Sequence, residues 1–155
     1  MSQPGIDLPT SLGYLLKEAA TALRLSMEAV LRPLGMTITH YSCLELLAQR
    51  PGLSNSELAR GAFVTRQSMN VLLHALEQDG IVTRSASTSG RAQPTALTPL
   101  GREQLAAASV AVRDVENAML GGLSDAERGQ LGAHLRSCVQ SLRMPNEERG
   151  STVDP

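Results

Sequence analysis

The sequence predicts a mainly α-helical fold with a small β-hairpin wing, a winged helix-turn-helix flanked by dimerisation helices. Three observations between Ser54 and Thr98 predict it. First, Ser54-Asn55-Ser56-Glu57 is a capping box: the serine satisfies one backbone N–H and the glutamate reaches back to another. It opens a short helix through Leu58 and Ala59 to about Ala62. Second, a longer helix runs from about Arg66 to Asp79, with Thr65 as N-cap and Gly80 as the C′ residue able to turn left-handed. Third, Ile81-Val82-Thr83-Arg84 and Thr95-Ala96-Leu97 are β-favouring runs on either side of a Ser/Gly/Pro-rich loop, the pattern of a hairpin.

The longer helix carries the functional expectation, because its two faces differ. Met69, Leu72, Leu73 and Leu76 form an apolar stripe at 3- and 4-residue spacing and must face a core. The opposite face holds Gln67, Asn70, Val71 and His74, with Arg66 and Ser68 near its start. Carboxylates appear only at the far end, as Glu77 and Asp79. Arg, Gln and Asn are the side chains that make bidentate contacts with guanine and adenine edges in a major groove. Any surface helix turns polar residues outward, but a short helix before it and a hairpin after it point to double-stranded DNA.

A chain of 155 residues has room for one sizeable core, and an apolar content of 42% is that of a globular protein. Aromatic residues make up only 2%, which argues against a stacking platform for single-stranded nucleic acid. The net charge of −1 excludes a globally basic protein but allows a local basic surface. Lys17 is the single lysine, so nearly all positive charge is arginine, suited to forked contacts with phosphate and guanine. Cys43 and Cys138 provide neither a disulfide framework nor metal-ligand spacing. No apolar run approaches the roughly 20 residues of a membrane span, and Met1 to Pro9 lacks the features of a secretory signal. These features predict a cytoplasmic protein with no membrane contact.

In chain order, residues 1–9 read as a flexible tail. Pro9 can start a helix in which Leu12, Leu15, Leu16, Ala19, Leu23, Met27, Val30 and Leu31 recur at helical spacing, ended by Pro33 and Gly35. Thr37 caps a second helix through His40, Cys43, Leu44, Leu46 and Leu47 that stops at Pro51-Gly52. The Gly52-Leu53 link can add an edge strand to the hairpin. Thr98-Pro99, an N-cap followed by proline at N1, begins a helix through Leu105, Val112, Val115 and Met119 to Gly121-Gly122. A second capping box, Ser124-Asp125-Ala126-Glu127, opens a last helix with Leu131, Leu135, Cys138, Val139 and Leu142. Residues 144–155 are polar and read as a disordered tail.

One domain over 10–143 follows, with residues 37–98 as the winged helix-turn-helix. The helices in 10–35 and 99–143 are apolar on one side and not needed for that unit. A symmetric homodimer is the commonest way to bury such faces, the alternative being a monomeric bundle. A dimer sets two recognition helices about one DNA turn apart, to read a pseudo-palindromic operator.

The helix order and three motifs resemble the MarR family of bacterial transcription regulators. Met36-Thr37-Ile38-Thr39-His40-Tyr41-Ser42-Cys43-Leu44 is similar to that family's opening of the second helix, with His40 where glutamine is usual. Leu53-Ser54-Asn55-Ser56-Glu57-Leu58-Ala59 and Leu76-Glu77-Gln78-Asp79-Gly80-Ile81-Val82 match two further signatures. Thr65-Arg66-Gln67-Ser68-Met69-Asn70 is similar to a recognition-helix start found in one branch of the family. In the wing, Arg91 occupies the position of the family's minor-groove arginine. Ser89 replaces the aspartate that braces it, which predicts a more mobile wing tip.

The resemblance implies a DNA-binding repressor, not an enzyme, working without cofactor or metal. Its DNA contacts would come from Ser54, Thr65, Arg66, Gln67, Ser68, Asn70, Val71, His74, Arg84 and Arg91, with Arg84 at the hairpin base as a phosphate contact. It also implies release by a small aromatic acid of the salicylate type, for which Tyr14, Arg24, His40 and Tyr41 are the candidate partners. Two alternatives stand beside it. One is a winged helix used for protein contacts without specific DNA binding. The other is a thiol redox-responsive regulator acting through Cys43. The family's peroxide sensors use a cysteine in the first helix, and this first helix has none. Cys43 and Cys138 therefore read as small buried fillers.

Overall fold

Side-chain caps set where most helices of this chain begin. The structure, a computed structural model, describes residues 5–84 and 94–145. Its α-helices are α1 (Leu12–Leu31), α2 (Ile38–Gln49), α3 (Asn55–Gly61), α4 (Arg66–Gln78), α5 (Pro99–Met119) and α6 (Asp125–Arg143). Its strands β1 (Val82–Arg84) and β2 (Thr95–Leu97) pair antiparallel, with Val82 opposite Leu97 and Arg84 opposite Thr95. Both expected capping boxes form, at Ser54/Glu57 and at Ser124/Glu127. Thr37 caps α2, and Thr65 caps α4.

Two expectations about the elements are corrected. Pro9 does not open α1: Leu8–Thr10 form one 3₁₀ turn, in which Thr10 Oγ1 donates to Asp7 Oδ2 at 2.7 Å, and Ser11 caps the helix at Leu12. The segment nearest the tail is thus hydrogen-bonded to itself. The edge strand at Gly52-Leu53 is absent, and the described sheet has two strands. Gly52 turns left-handed at φ +89°, which leaves only Leu53 before the Ser54 cap, too little backbone to pair. The wing residues Ser89 and Arg91 and the tail 146–155 lie outside the described residues.

The described residues fall into two compact units, one within Met1–Glu116 and one within Asn117–Pro155. In the first, Leu31, Cys43, Leu44, Leu58, Met69, Leu73 and Val82 are fully buried side chains, so the core unites α1 to α4 with the hairpin. The inward stripe of α4 is confirmed: Met69, Leu73 and Leu76 are buried and Leu72 packs against them. The apolar side of α1 is mostly uncovered in the single chain, with Leu12 81% exposed and only Leu31 buried. In the second unit α6 buries no residue, and Leu131, Leu135 and Val139 face solvent. Cys138 is exposed there, which corrects its assignment as a buried filler: its helix has no covered face in the single chain.

Candidate nucleic-acid interface

The chemistry-bearing face is built by α3, its turn, and α4. The Ser54 amide donates to the Glu57 carboxylate at 2.7 Å and the Ser54 hydroxyl accepts from the Glu57 amide at 3.2 Å, which locks the start of α3. That backbone hydrogen bond holds the Glu57 carboxyl below its usual range. α3 ends in a turn in which the Val64 amide reaches back to the Ala59 carbonyl at 3.0 Å. Phe63 takes the left-handed conformation there, at φ +58°, and is 87% exposed. Thr65 then accepts the Ser68 amide at 3.1 Å and donates to the Ser68 hydroxyl at 2.9 Å.

With Met69, Leu73 and Leu76 fixed inward, the 3.6-residue period turns Gln67, Asn70, Val71 and His74 outward together, and all four are exposed. Arg66 is exposed at the start of the same helix. Val71, 67% exposed, is an apolar patch among these polar groups. His74 shares a 3.2 Å hydrogen bond with Gln78. Beside this face lies a groove of about 520 Å³ where Ser54, Asn55, Arg66, Asn70 and Arg84 converge.

Nine of the expected contact residues thus sit on α4, its cap, or this groove, but their chemistry differs. The hydroxyls of Ser54, Thr65 and Ser68 are engaged in helix caps. Arg84 is half-buried, and its Nε lies 3.4 Å from the Glu77 carboxylate, a charge contact without hydrogen-bond geometry. Arg91 is outside the described residues. Sequence reasoning missed Asn55, whose Nδ2 donates to Asn70 Oδ1 at 2.7 Å. The two residues are 15 apart, a spacing that no helical or strand period connects.

The four candidate ligand residues do not form one site in the single chain. Arg24 pairs with Glu28 at 3.0 Å and borders a groove of about 430 Å³ with Phe63 and Ile38. Tyr14 lies on the solvent side of α1 beside Lys17 and Thr21. His40 is half-buried with Nε2 unpartnered, and burial holds its pKa below the ordinary value, with Asp79 acting weakly the other way. Tyr41 is placed near Glu45, which accepts from Ser109 Oγ at 3.1 Å, and burial followed by the Glu45 charge raises the phenol's pKa. Periodicity put these residues on the right helices but says nothing of the azimuth at which helices meet.

A sequence profile described as the MarR family matches residues 36–91, the stretch from the start of α2 into the wing. The HTH-type transcriptional repressor Rv2887 of Mycobacterium tuberculosis is 46% identical over 121 residues, which cover 77% of this chain and 87% of that protein. The chain belongs to the MarR family. The crystal structure of the M. tuberculosis MarR family protein Rv2887 in complex with salicylic acid is 41% identical, with a TM-score of 0.70 over 83% of this chain and 96% of that one. The same protein's complex with DNA gives 36% identity and a TM-score of 0.68, covering 83% and 98%.

Within this MarR-family chain, Cys43 is fully buried and its thiol is pushed up to about 11 by burial, so almost no thiolate is present at neutral pH. The redox alternative through Cys43 loses its reactive species. Among the described residues, no group of three His, Cys, Asp or Glu side chains is placed to hold a metal ion, and no helix is long and apolar enough to cross a membrane.

Proposed function

We propose that this protein is a cytoplasmic, sequence-specific repressor that binds a pseudo-palindromic DNA operator as a homodimer and is released by a small aromatic acid. The observation that carries it is the outward face of α4, where Arg66, Gln67, Asn70, Val71 and His74 are exposed together with no carboxylate before Glu77. Gln67 and Asn70 have the donor and acceptor pattern that reads base edges, Val71 suits a thymine methyl, and Arg66 suits phosphate or guanine. A protein-docking helix would instead carry acidic or larger apolar groups there.

The family and the named repressor relative support regulation rather than catalysis. A dimer is supported by the uncovered apolar side chains Leu12 and Leu16 on α1 and Leu131, Leu135 and Val139 on α6. On this reading residues 10–143 form one regulatory domain, with 37–98 as the reader. Release follows as a population shift: an acid that binds one arrangement of the dimer more tightly draws the recognition helices out of register with adjacent major grooves. Arg24, His40, Tyr41 and Tyr14 supply its polar partners once a second copy completes the crevice.

The test is fluorescence polarisation against the promoter region beside the protein's own gene, at two salt concentrations, with and without salicylate. Tight, salt-sensitive binding that outcompetes random DNA and weakens with salicylate is expected. Binding equal to that of random DNA would overturn the operator reading. Indifference to salicylate would overturn the effector.

A further inference from the structure

We infer that Thr98 is a positioning residue for DNA reading: it locks the end of α4 to the start of α5 and so sets the half-site spacing that the dimer accepts. The inference rests on the proposed reading of a dimer on a pseudo-palindromic operator and deepens it. Between α4 and α5 the chain runs out along β1 and back along β2, a length of backbone that imposes no angle between the two helices. The angle is set where the chain returns. α4 ends in a Schellman turn, with Gly80 at φ +72°. There the Ile81 amide donates to the Leu76 carbonyl at 2.9 Å and the Gly80 amide to the Glu77 carbonyl at 3.1 Å. The carbonyls of Gly80 and Ile81 are thereby left for Thr98. Its hydroxyl donates to the Gly80 carbonyl at 2.6 Å, and its amide donates to the Ile81 carbonyl at 3.0 Å. The same hydroxyl accepts the Gly101 amide at 3.1 Å.

One hydroxyl therefore closes the end of α4 and caps the start of α5. It has a single proton, which goes to the shorter contact with Gly80, while the Ile81 carbonyl, 3.0 Å away, is served by the amide. Gly101, with no side chain, lets the α5 backbone rest on that carbonyl. Beyond its first turn α5 reaches the core through the buried Leu105 and Ala108. Apolar contacts of that kind lack the directionality of the Thr98 bonds. On the dimer reading α5 is the lever between the reader and the partner copy, so an angle held at Thr98 becomes a distance between two recognition helices. DNA measures that distance, because one base pair more or less turns one half-site by about a tenth of a turn.

The experiment uses the full-length protein, the operator that the wild type selects from a randomised pool, and duplexes with the half-sites one base pair closer or farther apart. The wild type is expected to bind the selected spacing well above the others. Thr98→Val keeps the shape of the side chain and removes the hydroxyl. Its discrimination between spacings is expected to fall by about 5-fold, the worth of one hydrogen bond, with base preference inside each half-site unchanged. Thr98→Ser returns the hydroxyl and is expected to return the discrimination. A residue that only stabilised the fold would weaken binding at every spacing alike. Such uniform weakening, full discrimination in Thr98→Val, or no rescue by Thr98→Ser each overturns the inference while the DNA-binding reading stands. Circular dichroism checks the fold. If Thr98→Val does not fold, hydrogen exchange in the wild type decides: the Thr98 amide is expected to be protected with the core amides of α4, and exchange at the rate of a free loop amide overturns the clamp. If the wild type selects no motif of two half-sites, both readings fall.

Discussion

The Cα of Gly101 lies so close to the Ile81 carbonyl that a β-carbon there would stand 2.2 Å from the oxygen. The contact joins the first turn of α5 to the residue that follows the recognition helix and its Gly80 turn. Thr98 secures the same junction: its hydroxyl donates to the Gly80 carbonyl at 2.6 Å and accepts the Gly101 amide at 3.1 Å. Gly101→Ala forces backbone apart from backbone, which no rotamer change relieves. We expect a loss of about 1–3 kcal/mol, the usual range for overpacking, read as a lower urea midpoint at unchanged slope. A variant as stable as the wild type would show that the junction yields easily.

The ion pair between Arg84 and Glu77 bears on affinity. Glu77 occupies the far end of the recognition helix and holds a cation that borders the groove beside Asn70. Glu77→Gln removes the competing charge and leaves Arg84 available to phosphate. Binding is expected to tighten several-fold, and the log–log salt dependence to steepen by about one. A slope equal to that of the wild type would place Arg84 off the backbone.

Phe63 is strained for its residue type and exposed. A bulky side chain at φ +58° costs roughly 1–2 kcal/mol against a right-handed conformation, and glycine does not bear that cost. With so little of its ring buried, Phe63 returns little for the strain. Phe63→Gly is expected to raise stability by up to about 1 kcal/mol after glycine's larger entropy loss, seen as a higher melting temperature. A clear destabilisation would mean that the ring is covered in the assembled protein.

His40 ties stability to pH. Its folded pKa lies below the ordinary 6.5 because burial opposes the charged form. Below that value the unfolded chain takes up a proton that the folded chain refuses, so the stabilisation is present above pH 6.5 and is lost as pH falls through the folded pKa. Urea midpoints measured between about pH 5 and 7 should therefore decline on acidification. His40→Gln should flatten that decline. The Glu57 carboxyl, also held low, acts in the separate window below its ordinary 4.5.

Much of the fold was legible because local chemistry fixed it. Ser54/Glu57, Ser124/Glu127, Thr37, Thr65 and Thr98 are caps whose partners lie three residues away, and each forms as read. The Met69/Leu73/Leu76 stripe was legible for the same reason, since one helix sets its own period. Pro9 misled because a proline suits a 3₁₀ turn as well as an α-helix. The Gly52-Leu53 link misled because two residues between a left-handed glycine and a helix cap leave no length to pair.

The sequence by itself determined where helices start, which side of α4 faces inward, and therefore that Arg66, Gln67, Asn70 and Val71 face outward. Those are properties of neighbours three or four residues apart. Only the tertiary structure decided that Asn55 meets Asn70, that Glu77 meets Arg84, that Gly101 seats on Ile81, and that Arg24, His40 and Tyr41 have different surroundings. The physical reason is range. A cap or an amphipathic stripe is encoded within one turn, whereas a contact between elements depends on their crossing angle and depth, which the packing of the Leu44, Leu58 and Leu73 core sets.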